Sequence, residues 1–223
     1  MIDEPEEDAL ATDSLAEALA RHRIALDAGQ AALLERYALL LWDWNEKINL
    51  TRHTTWEKFV GRDVVDSLAF SRAIPAEEDV LDVGTGGGVP GIVLAILRSD
   101  ISVSLCESVA KRARVVEQMV ADLGLNVPVH HAGVQHLLAD QMYDTLVVRA
   151  VAPLPKLLHW LRPHWHQFQR LLVLKGPAWV EERKAARHLG LFDDLSLRKL
   201  DAYPLPGTQS ESVLLEIRPK EES

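Results

Sequence analysis

Apolar residues recur at helical spacing between about residues 15 and 50: Leu15 and Leu19, then Leu33, Leu34, Tyr37, Leu40, Leu41, Trp44 and Ile48. Steps of three and four put such positions on one face of a helix, and the break near Asp27 and Gly29 divides the stretch in two. Thr54 followed by Glu57 fits a capping box for a third helix through Phe59, and Val64, Val65, Leu68 and Ala69 continue the helical spacing. The first third of the chain is therefore expected to be helical.

From Asp79 the pattern changes. Short apolar runs rich in β-branched residues, at 80–83, 101–106, 127–130, 145–148 and 171–174, alternate with amphipathic stretches of helix length. Parallel strands need crossovers and helices supply them, so the alternation predicts an α/β fold with a mostly parallel sheet covered on both faces. The runs 196–200 and 212–217 are separated by a cluster holding Pro204, Pro206 and Gly207, too short for a crossover helix, and predict an antiparallel hairpin at one edge. The expected organisation is a disordered acidic leader (1–13), a helical region (14–75) and a core (76–223), the last two packed as one compact unit.

Composition narrows the class. With 223 residues, 48% hydrophobic and 26% charged, the chain fits a single globular domain. No uncharged apolar run approaches the roughly 18 residues of a membrane span, and acids stand where a signal peptide would be basic and then apolar, so a cytoplasmic protein is expected. The single cysteine, Cys106, excludes an internal disulfide and reads as core filling. The net charge of −9 argues at first against nucleic acid, but Asp3, Glu4, Glu6, Glu7 and Asp8 supply more than half of it. The remaining body is only mildly acidic and can carry a basic face.

The chemistry concentrates at strand ends. In LDVGTGGGVPG (81–91), placed between a strand and a helix at 92–97, Gly84, Gly86 and Gly88 allow positive φ and close backbone approach to a ligand, and the helix N-terminus offers free N–H groups. A nucleotide-like ligand is expected, and the spacing of Gly86, Gly88 and Gly91 leaves a dinucleotide open. Glu107 ends the next strand, where an acid can accept both ribose hydroxyls. No base adjoins it to receive a 2′-phosphate. Gly133, Val134 and Gln135 follow the third strand and Arg149 the fourth, so all these loops open on one carboxyl edge. Tyr37, Trp42 and Trp44 read as core residues. His159, His164 and His166 lack a converging ligand set, and no metal is expected.

LDVGTGGGVPG, SLCESVAKR, VVRAVAPL and LVLKG, with WNEKINLT and RDVVDSL upstream, resemble the glucose-inhibited division protein B family over roughly residues 40–217. These are S-adenosylmethionine-dependent methyltransferases of small-subunit ribosomal RNA. The resemblance implies a class I methyltransferase fold, 16S ribosomal RNA or the small ribosomal subunit as partner, and 7-methylguanosine as product. It implies cofactor contacts at Gly84, Val89, Val134, Gln135 and Arg149, to which the residue reading adds Gly86, Gly88 and Glu107. The chain departs from the family's pattern in having Arg62-Asp63 for Arg-His, Glu107 for Asp, Gly133-Val134-Gln135 for an Arg-Ala-Glu-like segment, and Ser212 for a base. Guanine N7 carries a lone pair and no proton, so no general base is expected. Arg149 is then the catalytic candidate, positioning a guanine through its acceptor edge. A monomer is expected. Other readings are a methyltransferase with another acceptor, a non-catalytic RNA-binding protein with a vestigial pocket, and an NAD dehydrogenase.

Overall fold

The computed structural model describes residues 14–205 and 210–220. The expected leader, and Pro206 and Gly207 of the hairpin turn, lie outside the described residues.

Helix α1 (Leu15–Arg21) is capped by Ser14, and α2 (Ala28–Asn45) by an Asp27–Gln30 capping box. In α2 the buried Leu34, Tyr37, Ala38 and Leu41 form one apolar stripe. The third helical stretch begins one residue later than expected: Thr55, not Thr54, is the cap, accepting from Lys58 N in front of α3 (Trp56–Lys58). It continues through a π-helical turn (Phe59–Val64) into α4 (Val65–Ala73).

The strands are β1 (Asp79–Val83), β2 (Ser102–Glu107), β3 (Val129–His131), β4 (Tyr143–Arg149), β5 (Phe168–Lys175), β6 (Leu195–Pro204) and β7 (Glu211–Pro219). Between them lie α5 (Gly91–Leu97), α6 (Ala110–Leu123), α7 (Val134–Leu137), α8 (Leu154–Leu161) and α9 (Trp179–His188). The sheet order is β3-β2-β1-β4-β5-β7-β6. β1 to β5 pair in parallel, while β7 runs antiparallel between β5 and β6. The predicted hairpin is thus present, with longer strands than its apolar runs.

Alternate side chains serve two cores. Val80, Val147 and Leu172 pack with the N-terminal helices, α5 and α6, whereas Leu81, Leu146, Val148 and Val173 pack with α7, α8 and the buried Ala186 of α9. The helical region and the sheet therefore share one apolar cluster. Cys106 fills the second core, as expected, and burial pushes its thiol up to about 12. The sheet order reverses between β1 and β4, the switch point beside which open α/β sheets bind ligands.

Candidate active site

The turn after β1 is built around Asp82. Its Oδ2 accepts from Thr85 Oγ1 at 2.6 Å and from Gly91 N at 2.9 Å, fastening both ends of the glycine turn to the strand that precedes it. Burial pushes the Asp82 carboxyl up to about 6. Gly91 must be glycine, since a Cβ there would collide with Leu105 Cδ2 and stand 2.9 Å from Asp82 Cβ. Gly84 and Gly86 have φ of +69° and +62°, in the left-handed region. At Gly86 the nearest atom to an added Cβ is Gly84 O at 3.9 Å, so that face of the turn opens into free space. Glu107, at the end of β2, accepts from Gly86 N at 3.1 Å through Oε2 and from Val109 N at 2.8 Å through Oε1. It is 4% exposed, and each oxygen retains a lone pair.

A cleft of about 720 Å³ opens beside this turn. Its wall includes Gly84, Gly86 and Val89 from the turn, Arg149 through Pro153 after β4, Lys175 after β5, and His53, Arg62, Asp63 and Asp66 from the helical region. Arg149 is held between two carboxylates: Nη2 meets Asp63 Oδ1 at 2.7 Å and Nε meets Asp66 Oδ2 at 2.9 Å. Burial works against the Arg149 cation, but Asp63 and Asp66 more than offset it and its pKa is raised. Asp66 is itself pushed up by burial, and Tyr203 Oη donates to its Oδ1 at 2.7 Å. Ala150, next along the chain, is a left-handed non-glycine residue with φ +55°, a strained conformation of the kind found at functional loops. The same loop is pinned by Lys175, which donates to Ala152 O and pairs with Glu182 at 2.8 Å, while Glu182 accepts from Leu154 N at 2.7 Å.

Of the residues expected from sequence, Gly84, Gly86, Val89 and Arg149 therefore line one cleft. Glu107 reaches it through the amide of Gly86. Gly88 faces away, its α-carbon turned towards Ile92 and the Tyr37 hydroxyl. Val134 is buried in the second core, and Gln135 is half-buried on α7, beyond the cleft wall. Asp82, Asp63, Asp66, His53 and Tyr203 carry no role in the sequence reading, where Asp63 enters only as a departure from the family's pattern. The DV of LDVGTG and the three-residue spacing of the aspartates in RDVVDSL, which places both on one helical face, were signals for the first three. Among the described residues no cluster of His, Cys, Asp or Glu could hold a metal.

A sheet of this order, with its last strand antiparallel between the fifth and sixth positions in the chain, a glycine turn after β1 and an acid closing β2, defines a class I S-adenosylmethionine-dependent methyltransferase. The solved structure of M. capricolum TrmK in complex with S-adenosyl-homocysteine has this fold, with a TM-score of 0.55 and 12% identity over 71% of this chain and 69% of that one. Over residues 30–203 the sequence matches rRNA small subunit methyltransferase G, and the chain belongs to that family. The Ribosomal RNA small subunit methyltransferase G of Rhodopirellula baltica is 50% identical over 194 residues, 87% of this chain and 84% of that protein. The protein of the same name from Pseudomonas aeruginosa is 34% identical over 207 residues, 92% of this chain and 94% of its own length.

Proposed function

We propose that this chain methylates N7 of a guanine in 16S ribosomal RNA, within the small ribosomal subunit, with S-adenosylmethionine as donor. Family membership supports the substrate class. The observation that carries the chemistry is Arg149, a cation fixed by two buried carboxylates beside the glycine turn. The residues present fit the donor: the open face of Gly86 leaves space that a Cβ would fill, and Glu107 stands at that turn with a lone pair free on each oxygen for ribose hydroxyls. When bound, S-adenosylmethionine supplies a methyl group made electrophilic by its sulfonium.

The chain's own part is alignment. Guanine N7 loses no proton on methylation, so the cleft needs no base, and near-attack positioning can contribute on the order of 7–11 kcal/mol at best. The N7 lone pair is the nucleophile and must stay free of donors, so Arg149 serves the reaction by donating to O6. Asp63 and Asp66 hold its guanidinium plane, and the pinned 150–153 loop closes the wall beside it. Val89 completes the cofactor side, with Val134 and Gln135 beyond Glu107. The helical region 14–75 and the core act as one unit of a monomeric enzyme, and a ribosomal substrate sets the work in the cytoplasm.

The test supplies purified protein with methyl-labelled S-adenosylmethionine and small subunits, or their extracted 16S RNA, lacking the modification. Nuclease digestion and mass spectrometry should find 7-methylguanosine at one position. Label on another base atom, or no transfer to either substrate, overturns the proposal.

A further inference from the structure

We propose that Asp63 selects the acceptor base: its free carboxylate oxygen accepts the N1–H of the target purine while the neighbouring Arg149 donates to O6. The inference rests on the guanine reading above and adds the residue that enforces it.

Asp63 lies on the π-helical turn, is 1% exposed, and lines the cleft. One-turn π-helical insertions recur at functional sites because they redirect side chains that a regular helix would place elsewhere. The two oxygens of Asp63 are used unequally. Oδ1 accepts from Arg149 Nη2 at 2.7 Å and from His53 Nδ1 at 2.8 Å, whereas Oδ2 is buried and has no hydrogen-bond partner. Its neighbour Arg62 repeats the pattern, with Nε buried and unpartnered on the same cleft wall. A desolvated carboxylate oxygen without a donor is unfavourable, and a donor arriving in the cleft relieves it. Arg149 commits one N–H to Asp63 and one to Asp66, and the rest of its five remain for a ligand.

The wall of the cleft therefore holds a donor and an acceptor on neighbouring side chains. Among purines, guanine presents the complementary order, the O6 acceptor next to the N1–H donor. Adenine presents the reverse, and would set its N1 lone pair against the carboxylate. A site built to satisfy a polar group rejects an analogue lacking it by leaving its own buried group unpaired.

The experiment first maps the guanine modified by the wild-type protein. Synthetic substrates then carry guanine, inosine or 2-aminopurine at that position, and kcat/KM is compared for wild type and Asp63→Asn. Inosine keeps O6 and N1–H, whereas 2-aminopurine lacks O6 and presents N1 as an acceptor. Wild type should methylate guanine and inosine within about threefold of each other and discriminate against 2-aminopurine by about a hundredfold or more. Asp63→Asn, whose amide can turn an N–H towards the base, should shrink that ratio at least about tenfold. The ratio is independent of the fraction of variant that folds. An unchanged ratio overturns the assignment. If the ratio is unchanged while S-adenosylmethionine affinity falls more than about tenfold, the free oxygen belongs to the cofactor's ammonium group instead. A wild-type preference for guanine over inosine of about a hundredfold also overturns it, in favour of a contact to the 2-amino group. Wild type that makes no 7-methylguanine on the guanine substrate removes the guanine reading itself, and this inference with it.

Discussion

Asp82→Asn isolates the electrostatic strain stored under the glycine turn. The carboxyl of Asp82 ionises at about 6 in the folded protein because burial disfavours its charge, against about 3.9 in an unfolded chain. Between these values the folded state binds the proton and the unfolded state does not, so stability falls as pH rises through the window and the full cost is felt above pH 6. Integrated from pH 5 to pH 8, this one group changes unfolding free energy by about 1.4 kcal/mol. Asparagine cannot titrate. Its oxygen can keep the bonds from Thr85 and Gly91, and its amide replaces the Oδ1 that has no partner. The constant offset between the two proteins depends on how that amide settles, but the offset should move by about 1.4 kcal/mol in favour of the variant from pH 5 to pH 8, or about 3–6 °C in Tm. Urea unfolding followed by tryptophan fluorescence at dilute protein, across that pH range, measures it. Curves that stay parallel within about 0.5 kcal/mol would refute the claim that Asp82 is ionised and strained in the native state.

Gly84→Val should abolish S-adenosylhomocysteine binding in calorimetry, because a Cβ there meets Val151 Cγ2 at 2.7 Å at a φ of +69° and displaces the loop facing the turn; affinity within tenfold of wild type would contradict this. Glu107→Ala should weaken cofactor binding about ten- to a hundredfold through loss of charge-assisted bonds, with an unchanged dissociation constant refuting the ribose role. Arg149→Ala would leave Asp63 and Asp66 buried without their cation, a loss of about 3–5 kcal/mol in stability. The cleaner variant is Arg149→Lys, which keeps the charge but loses the fork: single-turnover methyl transfer should fall about a hundredfold with cofactor affinity changed far less, and normal transfer would sink the alignment role.

The central strands were legible because parallel strands buried on both faces appear as unbroken apolar runs. Their ends were not, since a strand continues wherever a partner supplies hydrogen bonds. β3 starts at Val129 rather than Val127 because Pro128 has no N–H to donate and gives only its carbonyl, to Leu105 N. In the site, the glycine turn, Glu107 and Arg149 stood out because each is tied to a strand end by local sequence. What holds Arg149 did not. Asp66 lies 83 residues before it, and Tyr203 lies 137 residues after Asp66, so that network exists only through the topology that inserts β7 beside β5 and lays β6 outside it. Gly88, expected at the cofactor for its positive φ, has a φ of +105°, but its absent side chain makes room for Ile92.

The Tyr37 hydroxyl donates to Gly87 O at 2.9 Å, and a Cβ at Gly87 would come within 2.9 Å of Leu41 Cδ1. Helix α2 therefore forms the floor on which the glycine turn rests, and the two are ordered together. A ligand at a hundred times its Kd adds about 2.7 kcal/mol to the folded state, and opening of α2 that releases the turn must forfeit it. Amide exchange along α2 should slow when S-adenosylhomocysteine binds at Glu107, more than 60 residues away in sequence. By the same linkage, a substitution that leaves α2 open part of the time weakens apparent cofactor affinity in proportion to the fraction that remains closed.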